Sequence, residues 1–173
     1  MNASFLLRLK AFLIDYLLIL VYLFVIFVGN IFLFPSLQDF FTGSLIVAQL
    51  TGFLMVTLPI SLYFIVSDSK IGRQSYGKKK TGIQVVDNAG APLSMKRITL
   101  RTVIKFAPWE LSHFLVYRLV YIADGEVPIL YYIIGGLIYS LIFAYILFAI
   151  FTKKKQSIYD LIAKTQVVKL EDR

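Results

Sequence analysis

The sequence predicts an all-α membrane protein with four transmembrane helices, both termini in the cytoplasm, and a small cytoplasmic two-stranded β ribbon. Three observations predict it. Apolar residues make up 58% of the chain and charged residues 16%, against about 25% charged in an ordinary soluble domain. Three runs, residues 11–34, 45–66 and 127–151, reach span length, since about 20 apolar residues cross a hydrocarbon core of about 30 Å. The third observation is charge asymmetry, because 17 of the 18 basic residues fall in three blocks. These are Arg8 and Lys10, nine residues from Lys70 to Lys105, and six from Lys153 to Arg173. The segments 35–44 and 124–128 between spans carry acids and no base.

The first span, 11–34, is too long for a signal peptide and is followed by no small-residue cleavage site, so it is expected to stay. The second is 45–66. Basic segments face the cytoplasm, which puts the loop 67–101 and the tail 152–173 on the same side. The chain must then cross an even number of times between them. Residues 127–151 are one crossing, so 102–123 is the other, despite Pro108, Glu110, His113 and Arg118. Pro108 is expected to kink that helix. The whole chain, 1–173, reads as a single membrane domain. Its net charge of +8 fits contact with anionic lipid headgroups rather than a nucleic-acid footprint.

The cytoplasmic segments carry their own patterns. "GRQSYGKK" (72–79) fits the first seven positions of a P-loop, but Lys79 stands where Ser or Thr should hold magnesium, and a lipid-spanning helix precedes it. A basic surface loop is the better reading. "TGIQVVDNAGAPLS" (81–94) is a strand and a turn, and "AKTQVVKL" (163–170) repeats its Gln-Val-Val, so the two should pair. From Ser94, a helix cap, "SMKRITLRTVIK" reads as an amphipathic helix with Arg97 and Arg101 on one face. Gly136 and Ser140 form a small-xxx-small face on the last span. Trp109, Tyr22, Tyr63 and the other tyrosines are expected to anchor at the membrane interfaces.

No cysteine and a single histidine exclude disulfides, thiolate nucleophiles and His-rich zinc sites. No catalytic constellation is visible, so neither an enzyme nor a cofactor is expected. The titratable candidates are few. Asp15 lies about 6 Å inside the first span, where an ionisable group faces the bundle and needs a partner. Arg8 is on the same face but roughly 10 Å away along the axis, and it can snorkel to the headgroups. Asp160, in the basic tail, can pair with Arg8, Arg97 or Arg101. Glu110 and His113 share a face of the third span just beyond Pro108. They are the mid-depth groups that a proton-coupled pathway requires.

Four motifs in order, "RLKAFLID", "GRQSYGKKKTGIQVVDNAGAPLS", "RTVIKFAPW" and "KKQSIYDLIAKTQVV", together resemble the RDD family of small membrane proteins. That family is named for one arginine and two aspartates, which the resemblance carries onto Arg8, Asp15 and Asp160. Tyr159 stands where many members have histidine before the second aspartate, so a histidine-based proton step is not expected there. The resemblance implies either of two roles. Some members resemble sodium/proton antiporters, which would make a monovalent cation and protons the ligands. Others occur beside membrane proteases, which would make the chain a regulator or assembly partner. A chain this short is expected to transport only as a homo-oligomer, in a bacterial plasma membrane.

Overall fold

A computed structural model of the chain describes residues 1–170. Helix α1, Phe5–Val28, starts where the Ser4 hydroxyl accepts the Leu7 N–H at 3.3 Å, and runs into a π-helical turn, Gly29–Leu33. A 3-10 turn and the short α2, Asp39–Thr42, lead to α3, Leu45–Gly52. A second π-helical turn, Phe53–Thr57, joins α3 to α4, Leu58–Asp68. Then come α5 (Tyr76–Thr81), β1 (Ile83–Asp87), α6 (Met95–Ile122), α7 (Ile129–Phe151), α8 (Ile158–Ile162) and β2 (Thr165–Lys169).

Among the described residues, three helices are long and apolar enough to cross a membrane: Phe5–Leu33, Leu45–Asp68 and Ile129–Phe151. The expected span 102–123 lies almost wholly within α6, whose 28 residues reach about 42 Å at 1.5 Å per residue. Length is therefore sufficient, but Lys105, Glu110 and Arg118 make this helix the polar one. The apolar helices expose much of their surface. Phe24, Ile133 and Tyr139 are each more than 60% exposed, as on helices that meet lipid rather than water.

The two Gln-Val-Val segments pair as expected, and the structure sets their direction and register: β1 and β2 are antiparallel, with Val85 opposite Val167. The outer edge of β2 is covered by the chain start, where the Ala3 N–H donates to the Val167 carbonyl at 2.9 Å and the Lys169 N–H to Met1 at 2.8 Å. The ribbon, α5 and α8 make a cap over one end of the bundle. Its core is Ile83, Val85, Leu93, Ile98 and Val167, closed from the helix side by Ala11 and Ile65. A second cluster, Ile19, Ile60 and Phe64, joins α1 to α4.

Two prolines inside helices each free a carbonyl, and a tyrosine from another helix satisfies each one. Pro108 can return no N–H to Ile104, and the Tyr145 hydroxyl of α7 donates to that carbonyl at 2.7 Å. Pro59 leaves Met55 in the same position, and Tyr22 of α1 donates to it at 2.7 Å. Such repair is what makes a proline tolerable where no water can reach the backbone. Tyr22 is thus an internal hydrogen-bond donor, and so is Tyr63, whose hydroxyl donates to Asp15 Oδ1 at 2.8 Å, a role beyond the interface anchoring expected of both. Ser94 does precede α6, but its side chain makes no capping bond.

Candidate functional site

Three polar sites are built from the residues singled out above, together with several that the sequence did not advertise. The first surrounds Asp15, which is 1% exposed. Its carboxylate accepts from the Tyr63 hydroxyl at 2.8 Å, the Ser75 hydroxyl at 2.6 Å and the Gly77 N–H at 2.7 Å. The last two donors belong to the start of α5, where N–H groups point outward unpaired. Anions settle at such a helix start, and here the anion is a carboxylate of the same chain. Glycine is required at position 77 because a Cβ there would run into the Ala11 carbonyl of α1. The P-loop-like stretch therefore serves as a docking hook for α1.

Next to it, Asp68 closes α4, is also 1% exposed, and accepts from Lys78 Nζ at 2.7 and 2.9 Å and from the Ser75 N–H at 3.1 Å. Lys78 in turn donates to the Ser75 hydroxyl at 3.1 Å. Asp68, Ser75, Gly77 and Lys78 were missed in the sequence. Their signal was weak: an acid at the end of a span and a lysine ten residues on, within a loop rich in lysine.

The second site is Asp160, fully buried. One carboxylate oxygen accepts from Arg101 Nε at 2.8 Å and the Thr165 hydroxyl at 3.1 Å, and the other from Arg8 Nη1 at 3.0 Å. The Ser157 N–H completes a capping box on α8 at 3.3 Å. Burial by itself would push this carboxyl up. Arg101, Arg8 and the hydrogen bonds outweigh it and hold Asp160 below the usual carboxylate range. Tyr159, in the position beside it, stacks its ring under the Arg101 guanidinium at 5.0 Å. Arg97 turns away to the half-buried Asp87 at 3.3 Å, so the two arginines expected on one face serve different partners. Arg8 does not snorkel. Its side chain is 12% exposed and committed to the tail.

The third site lies near the middle of the Leu45–Asp68 helix. Thr57, at the end of the π-helical turn, donates its hydroxyl to Glu110 Oε2 at 2.8 Å. His113 Nδ1 is 3.5 Å from the same hydroxyl and 3.9 Å from Glu110. The carboxylate and imidazole side chains are 32% and 30% exposed. Trp109 meets His113 edge to face at 4.7 Å between ring centres. A single helix face thus presents an acid, a base and an aromatic wall to a π-turn, the local irregularity that often marks a working site in a helix.

The structure brings Arg8 together with Asp160, and Glu110 with His113, while Asp15 stands apart from both. Among the described residues, no three His, Asp or Glu side chains gather as a metal-ligand set. No curated protein and no solved structure matches the chain. The RDD family model matches residues 2–164, which include Arg8, Asp15 and Asp160, and the chain belongs to the RDD family.

Proposed function

We propose that this protein exchanges a monovalent cation for protons across a bacterial plasma membrane, with Thr57, Glu110 and His113 as the exchange site. It acts as a carrier, not as an enzyme. The observation that carries the reading is a contrast in saturation. Asp15 and Asp160 accept three or more hydrogen bonds each and are closed to solvent. Among the described residues Glu110 accepts one, from Thr57, and it stays about one-third exposed beside a histidine. A carrier must bind and release, so it needs a carboxylate that is incompletely satisfied.

In this reading α6 is the fourth span and the cap faces the cytoplasm, as the basic blocks favour. A second copy of the chain would pack on the exposed Gly136 and Ser140 of α7, where small residues permit close approach. Cysteines at Gln38 and Asp124 should then react with an impermeant reagent in intact cells, and cysteines at the exposed Ala89 and Lys154 should not. Labelling at Ala89 together with Gln38 would break the four-span model.

The exchange reading is tested by purified protein in liposomes with a pH-sensitive dye, challenged by sodium, potassium and lithium pulses. The expected result is ion-dependent pH change that Glu110→Gln abolishes. A second reading, a regulator or assembly partner of another membrane protein, is favoured by apolar side chains left exposed on the cap, Ile71 at 68% and Ile162 at 54%. It predicts no pH change from the wild type under any cation.

A further inference from the structure

Beneath the cap, between α1, α6 and α7, lies a cavity of about 390 Å³, within the usual range for ligand pockets of roughly 300–1,000 Å³. Its capped end is lined by Arg8, Lys78, Arg101 and Lys105, with Asp15 as the one carboxylate in the lining. Most of the remaining walls are apolar, among them Phe12, Phe106, Ile142 and Ile146, with Ser112, Tyr145 and Tyr159 as further polar side chains.

Charge is out of balance there. Among the described residues, Asp160 is matched by Arg8 and Arg101, and Asp68 by Lys78. Asp15 is satisfied by neutral donors. Lys105 has no ion pair or hydrogen bond among the described residues, and its ammonium rests against the rings of Phe64 at 4.1 Å, Phe106 at 5.3 Å and Phe12 at 5.9 Å. Arg8 uses Nη1 alone, while its Nε and Nη2 are sheltered without a hydrogen-bond partner. A cation enclosed by apolar walls is costly unless an anion meets it. Cation–π contacts of this kind offset only part of that cost, less than a full counter-ion would.

The cavity's apolar side continues onto the outside of the bundle. Phe12 on α1 and Ile142 and Ile146 on α7 line it and are also 39–41% exposed on the flank of the helices. An occupant can therefore keep its tail among the lipid-facing side chains while its head reaches Lys105. That geometry fits an amphiphile and not a free ion.

We propose that this cavity is a site for one anionic phospholipid of the surrounding bilayer, its phosphate on Lys105 and the free side of Arg8 and one acyl chain along Phe12, Ile142 and Ile146. The lipid supplies the missing negative charge and ties the cap to the membrane leaflet it faces. Thr57, Glu110 and His113 do not line the cavity, although Trp109 borders both sites, and the lipid is read by its own binding and not by ion exchange.

The test is thermal unfolding of the detergent-purified full chain with added lipid. Phosphatidylglycerol should raise the Tm by about 5 °C or more at saturation, and phosphatidylcholine and inorganic phosphate should not. Lys105→Met should lose the difference between the two lipids, Lys105→Arg should keep it, and Lys153→Met, an exposed tail control, should leave it intact. Ile146→Trp, which fills the tail channel, should weaken it while Lys105 is still present. Equal stabilisation by both lipids, or a full response in Lys105→Met, would overturn the site. Equal stabilisation by inorganic phosphate would overturn the lipid as its occupant. Should Lys105→Met not fold, a full phosphatidylglycerol response in Ile146→Trp overturns the proposed pose, and its loss supports it.

Discussion

The cap clasps and the mid-span triad use the same residue types to opposite ends. At Asp160 and Asp15, every carboxylate oxygen is met by a donor and no water reaches it. At Glu110 the acid has one hydroxyl donor and a histidine too far for a short bond. The first arrangement fixes geometry, because breaking it strands a buried charge. The second, in the proposed exchange, would tolerate a change of charge, because about a third of each side chain is left uncovered by protein. A motif residue in a membrane protein is therefore not a transport residue by default. Its hydrogen-bond saturation decides.

Removing one side of the tail clasp should show the largest effect on stability. Asp160→Ala leaves Arg8 and Arg101 buried without a counter-charge, and should cost about 3–5 kcal/mol in unfolding of the detergent-solubilised protein. The same clasp has a defined pH window. The folded Asp160 titrates below its ordinary value, so its stabilisation is full above the unfolded carboxylate pKa and is lost as pH falls through the folded one. The stability gap between wild type and Asp160→Asn should hold steady from pH 7 to about 5 and shrink below about pH 4. A gap that grows on acidification would contradict the assignment.

Smaller losses belong to the hook. Gly77→Ala drives a methyl into the α1 backbone and should cost about 1–3 kcal/mol, without changing ion specificity. Asp15→Asn turns one acceptor into a donor facing donors, and should also lose about 1–3 kcal/mol while any ion exchange survives. Abolished exchange in a well-folded Asp15→Asn would move the carrier role back to Asp15 and erase the contrast. Least visible in stability is Glu110→Gln, which still accepts from Thr57. Its melting should change by about 0.5 kcal/mol or less, while exchange is lost.

Much of the architecture was legible because the medium dictates it. Run 45–66 falls within a long apolar helix, and runs 11–34 and 127–151 overlap two others apart from Phe34 and residues 127–128 at their ends, since no other local structure satisfies the backbone in lipid. The Gln-Val-Val repeat gave the ribbon and its partners because alternating β-formers need a paired edge. Arg8–Asp160 was within reach of charge logic, and the structure selects Arg8 and Arg101 from the three bases considered. Asp15 was visibly in need of a partner, but its partners are a tyrosine, a serine and a backbone N–H. No charge pattern points to such donors, and backbone groups carry no sequence signature.

The solvent of each segment and the helix lengths depend on near neighbours in the chain and are written in its composition, whereas the strands pair across most of the chain and were legible only because Gln84–Val86 and Gln166–Val168 repeat one pattern. Only the tertiary structure decided which polar groups are saturated. Asp15 and Ser75 are 60 residues apart and Arg8 and Asp160 are 152 apart, yet each pair shares a hydrogen bond set by how whole helices dock. A carboxylate's role follows from the donors that reach it, and those donors are assembled by packing.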